Sequence, residues 1–123
     1  MATFKRFEEI KAWQKARETT RLIYQTTAEG SCARDFGLLD QVRRAAVSIM
    51  ANIAEGFGRR SNKEFANFLN MAHGSAAEVQ SHLYVALDLN YIDQSTFTEP
   101  YDLLDETSRM IMALAQHLRA SAS

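Results

Sequence analysis

The stretch from Asp40 to Ser61, DQVRRAAVSIMANIAEGFGRRS, restricts the fold of this chain more than any other. At 100° per residue, Leu38, Val42, Ala45, Ile49, Ile53 and Phe57 share one face, while Gln41, Arg44, Ser48, Asn52, Glu55 and Arg59 share another. Such a helix is amphipathic. Val47, Met50, Ala51 and Ala54 lie outside both faces, so the apolar surface wraps well past the roughly 100° arc that one core demands. A second buried contact follows. The small side chains of Ala51 and Ala54 suit close approach of another helix, and a neighbouring subunit is the preferred source. Val47, Met50, Ala51 and Ala54 are therefore the candidate oligomer interface.

Three further stretches carry the helical period, and none shows the two-residue alternation of a strand. The predicted helices cover about 10–28, 38–57, 62–89 and 94–119. In the first, Ile10, Trp13, Ala16, Thr20, Ile23 and Thr27 form the apolar stripe, with Trp13 as a core anchor and Phe4 and Phe7 folded against the bundle end. Ala28 to Phe36 breaks the pattern and reads as the longest connection. Gly56 and Gly58 suit the left-handed conformations that close a helix. Ser61 and Glu64 then form an S-x-x-E capping box that opens the third helix, where Gly74 among small neighbours permits a close crossing. The fourth start is open. Asp93 is a good N-cap, but Pro100 would then lie inside the helix; alternatively Thr98 caps a restart with Pro100 in the first turn. The inward positions that follow are Tyr101, Leu104, Ser108, Ile111, Leu114 and Leu118. One all-α domain spanning 1–123 is implied, an antiparallel up-down-up-down four-helix bundle packed at about 20°.

Gln41 to Arg60, with its Arg43-Arg44-Ala45-Ala46 and Asn52-Ile53-Ala54-Glu55-Gly56-Phe57-Gly58-Arg59 segments, resembles the signature of the 23S rRNA intervening-sequence proteins, small bacterial four-helix bundles. The likeness extends from Trp13-Gln14-Lys15-Ala16 to Ser108-Arg109-Met110-Ile111. Met50 stands where such proteins often have proline after the Ser-Ile pair, which leaves the helix straighter. The resemblance implies a four-helix bundle assembled as a five-subunit ring, a homopentamer. It brings no catalytic residues, and the family's biochemical role is itself unsettled.

Net charge is −1, yet its distribution is uneven. Residues 1–63 hold 12 Lys/Arg against 7 Asp/Glu, and residues 64–123 hold 2 against 8. Complementary halves favour helix pairing within a bundle or a basic-to-acidic contact between identical subunits. The near-neutral total counts against nonspecific nucleic-acid affinity while leaving room for a local basic patch. No run approaches the roughly 20 apolar residues of a membrane span and no signal peptide is legible, so a cytoplasmic location without membrane contact is expected. A lone cysteine, Cys32, cannot form an intrachain disulfide or a cysteine zinc site, and a bystander thiol is the preferred reading.

Chemistry finds little support. A di-iron bundle needs Glu-x-x-His on two helices, but Glu78 and His82 are four apart, His73 lies five before Glu78 and His117 has no carboxylate within a turn. No metal, cofactor or small-molecule substrate is expected. Gly56-x-Gly58-x-x-Ser61 joins two helices instead of following a strand, so it is a turn and not a dinucleotide fingerprint. No nucleophile elbow occurs, and the chain reads as no enzyme. The remaining feature is basic: Arg59, Arg60 and Lys63 cluster at the turn between helices two and three, with Arg43 and Arg44 further back. Phosphate binding at free helix-start amides makes these five residues the candidate RNA or DNA contact. Structural capping of the preceding helix is the preferred reading of Arg59 and Arg60, but it leaves Lys63, a cation in a first turn, unexplained. Two function classes follow, a nucleic-acid-binding oligomer and a protein–protein scaffold without nucleic acid.

Overall fold

The computed structural model describes residues 4–121, and among these every regular element is helical. A 3-10 turn, Phe7–Glu9, leads into α1 (Lys11–Thr26); the short α2 (Gly30–Arg34) precedes three long helices, α3 (Phe36–Phe57), α4 (Asn62–Asp88) and α5 (Gln94–Ala120). Residues 122 and 123, the end of the expected Ala/Ser tail, lie outside the described residues. Side-chain caps set three of the starts. Asp35 accepts from the Leu38 amide, Ser61 from that of Glu64 and Asp93 from that of Thr96, each satisfying a donor that the first turn leaves without an intrahelical acceptor. The Ser61 hydroxyl also donates to the Glu64 carboxylate at 3.3 Å, tying the box from its side-chain end.

α5 runs without interruption through Pro100. The proline has no amide hydrogen, so the Thr96 carbonyl loses one helical partner, but anchors on either side offset this. Asp93 holds the first turn, and buried Phe97 lies 4.9 Å from the Tyr84 ring and 5.1 Å from the Tyr101 ring. Pro100 itself is buried. Thr98 caps nothing; its hydroxyl donates to the Gln94 carbonyl at 2.8 Å. The restart at Thr98 is thereby excluded, because tertiary burial of Phe97 and Pro100 outweighs one lost hydrogen bond.

α1 packs on α3 and α5, and α4 packs on the same two, so the four long helices enclose one core. Ile10, Ile23, Ile49, Ile53, Leu69, Val79, Leu83, Leu104 and Ile111 fill it. Two interior positions differ from the periodicity. Thr19 and Thr107 are buried where Thr20 and Ser108 were expected, and their hydroxyl oxygens lie 3.1 Å apart. Each also reaches the carbonyl four residues back, so neither buried hydroxyl is left unsatisfied. Phe4 and Phe7 pack on the core margin, with the Phe7 ring edge-on to Trp13 at 5.1 Å.

Neither Gly56 nor Gly58 is left-handed; Gly58 has φ −76°. Gly56 has another purpose. A Cβ there would lie 2.6 Å from Phe68 Cβ and 3.0 Å from Phe65 Cδ1, so the missing side chain lets α3 and α4 meet closely before the turn. Gly74 is the reverse: a Cβ would meet nothing within 4 Å, and no crossing within the chain uses it. The left-handed residue that does close a helix is Asn90, φ 60°. With Tyr91 N–H on Ala86 O and Asn90 N–H on Leu87 O, it completes a Schellman cap after α4.

Candidate functional site

The five candidate cations do not converge. Arg43 is engaged inside the fold: its Nε donates to Thr27 Oγ1 at 3.1 Å, its Nη2 to the Tyr24 carbonyl at 3.2 Å, and its guanidinium lies 4.4 Å over the Tyr24 ring. It ties α3 to the end of α1, where the last carbonyls lack helical donors. Arg44 pairs with Asp40 at 2.9 Å on exposed α3 surface. At 1.5 Å per residue both sit about 20 Å from the α3–α4 turn. At the turn, Arg59 pairs with Glu55 at 2.8 Å and covers the Phe68 ring at 4.6 Å. Arg60 and Lys63 are exposed and make no ion pair among the described residues. Glu64 already occupies the first turn of α4, where the helix dipole favours an anion.

Val47, Met50, Ala51 and Ala54 do converge, on a shallow depression of about 280 Å³ whose remaining walls are Phe7 and Trp13. All six side chains are apolar. Val47 is 42% exposed and Ala51 is exposed, whereas Met50 and Ala54 are half-buried against the core margin. The depression continues along α3 into a groove of about 790 Å³ lined also by Tyr24, Phe36, Leu39, Arg43 and Arg44. Phe36, 75% exposed at the start of α3, is the most open large apolar residue among those described. Phe7, Trp13, Tyr24 and Phe36 were not in the sequence-based interface set. Their helical phase alone did not place them there, since α1 and α3 had first to be docked.

Cys32 faces inward from α2 and is 1% exposed. Burial pushes its thiol pKa up, Asp35 adds to the rise and Arg43 opposes it, so the thiolate that reagents require is suppressed. Asp35 also accepts from the Tyr91 hydroxyl at 2.9 Å, and that hydrogen bond raises the phenol's pKa. The cluster joins α2, the α3 cap and the α4–α5 turn. His82 Nε2 lies 3.4 Å from Glu78 Oε2, and among the described residues no three His, Cys, Asp or Glu side chains group as a metal site. No helix there is long and apolar enough to cross a membrane.

Four long helices around one core, with polar clusters that serve packing and capping, define a small all-α bundle protein. More particularly, the chain belongs to the family described as 23S rRNA-intervening sequence protein, whose profile matches residues 8–113. Among solved structures it is similar to a protein of unknown function from the S23 ribosomal protein family of Bacteroides thetaiotaomicron. That likeness has a TM-score of 0.77 at 23% identity, over 85% of this chain and 97% of the other, and is one of fold. No curated protein matches the chain.

Proposed function

We propose that this is a non-catalytic cytoplasmic protein that works by self-association, each chain a single up-down-up-down bundle joined to identical copies. The observation carrying this reading is the apolar depression of Val47, Met50, Ala51 and Ala54 with Phe7 and Trp13, in which Val47 and Ala51 stay exposed on an apolar face of α3 that lies off its core face. Antiparallel neighbours are supported by pairings that run in opposite directions: Thr20 with Ala46 and Tyr24 with Arg43, then Gln80 with Asp105 and Tyr84 with Phe97. Five copies is the number that the family resemblance implies. Light-scattering mass tests the reading, with Ala51→Glu as the variant: the exposed site should leave the bundle helical while the assembly falls to single chains. A single-chain wild type rejects self-association, and an assembly indifferent to Ala51→Glu rejects this surface.

A second reading, contact with RNA or DNA at the α3–α4 turn, is favoured by the open charges of Arg60 and Lys63. Replacing both with glutamine should weaken binding and flatten its salt slope by about two, one per lost phosphate contact. Arg43→Gln should instead lower stability, since Arg43 holds Tyr24 and Thr27. If wild-type protein shows no retention on RNA or DNA at low salt, the protein–protein scaffold without nucleic acid is the remaining form of the proposal.

A further inference from the structure

Apart from Tyr84, which packs on Phe97 and Tyr101, the exposed large apolar side chains of the described residues fall into two separate sets. Tyr24, Phe36 and Val47 line the α1–α3 groove, whereas Met71, Val85 and Leu89 lie along α4 and its end. On α4, Asn67, Met71, Gly74, Glu78, Ser81, Val85 and Asp88 recur at alternating steps of four and three, so they form one outward stripe, or seam, along the helix. Every one of them is exposed, so no described residue covers the seam. Gly74 is its third position. Glycine is poor in a helix interior, and its Cβ would meet nothing within 4 Å, so no contact inside the bundle accounts for it. A backbone approaching from outside would.

The two surfaces are comparable in length and opposite in charge. From Phe36 to Ala54 the groove runs about 27 Å, and from Asn67 to Asp88 the seam runs about 32 Å, at 1.5 Å per residue. Arg17 and Arg43 flank the groove as its net positive charges, with Arg17 stacked 5.8 Å over Trp13. Asp40 and Glu55 in the same groove are neutralised by their partners Arg44 and Arg59. The seam carries Glu78 and Asp88, and no Lys or Arg occurs between Lys63 and Arg109. We infer that the α1–α3 groove of one copy receives the outer seam of α4 from the next, a head-to-tail contact with its closest approach at Gly74. The inference rests on the self-association proposed above and names its second surface.

Complementation tests it. Ala51→Glu disables the groove and Val85→Glu the seam, each at an exposed position, and circular dichroism checks that both remain helical. Each variant alone should have the light-scattering mass of one chain. Their mixture should form a complex of at least two chains, because an intact seam from the first meets an intact groove from the second. A mixture that stays single-chain, when the wild type assembles, overturns the head-to-tail pairing, as does a Val85→Glu protein of wild-type mass. Gly74→Gln provides a variant that folds readily, since its side chain enters open space and improves helix propensity; it should likewise reduce the assembly to single chains, and wild-type mass would overturn the inference. A wild type that is single-chain at the highest concentration it tolerates overturns the self-association reading itself, and is distinguished by the first measurement.

Discussion

The α3–α4 junction at Gly56 and the outer surface of α4 at Gly74 make opposite uses of the same residue. At Gly56 the absent side chain is filled by Phe68 and Phe65, so the glycine is explained wholly within the chain. At Gly74 the absent side chain borders open space. Glycine in the middle of a helix, as at Gly74, costs about 1 kcal/mol relative to alanine. At Gly56, one residue from the end of α3, the cost is smaller and is offset by close packing of two helices, and at Gly74 nothing inside the bundle offsets it. Position in the helical period does not distinguish the two; contact does.

The same substitution should therefore change sign between them. Gly56→Ala forces a Cβ to 2.6 Å from Phe68 Cβ, and overpacking of this kind costs more than alanine's helix propensity returns, giving a net loss of about 2 kcal/mol. Urea unfolding measures it, and a neutral or stabilised Gly56→Ala would break the contrast. Gly74→Ala should stabilise the isolated bundle by about 0.5–1 kcal/mol. That measurement belongs in an Ala51→Glu background, where contact between copies does not contribute; a loss of stability there would show an internal role for Gly74. Ser75, beside Gly74 but turned toward α3, sharpens the comparison with the smallest effect. Its hydroxyl lies 3.0 Å from that of Ser48, which also accepts from Asn52. Since Ser48 keeps a partner, Ser75→Ala should cost only about 0.5 kcal/mol. A loss matching that of Gly56→Ala would place the critical α3–α4 contact mid-helix.

Much of the secondary structure was legible because its causes are local. Ser61 with Glu64 and Asp93 with Thr96 act across three residues, and the apolar spacing through Val42, Ile49 and Ile53 needs nothing beyond α3. The candidate site was legible only in part. The convergence of Val47, Met50, Ala51 and Ala54 followed from one helix's period, but Phe7 and Trp13 joined them through the docking of α1. Arg43 and Arg60 are both arginines in basic dipeptides, yet one is held on Tyr24 and Thr27 while the other is open. Nothing within a few residues of either separates them.

By itself the sequence determined an all-α chain of four long helices, the cap at Ser61, and membership of its family, since period, cap chemistry and signature are carried by neighbouring residues. Tertiary structure alone decided that α5 passes through Pro100, that Gly56 admits Phe68, that Cys32 turns inward on a short α2, and that Thr19 rather than Thr20 enters the core to meet Thr107. In each case the deciding energy is burial or a hydrogen bond between residues far apart in the chain, which exists only after the helices pack.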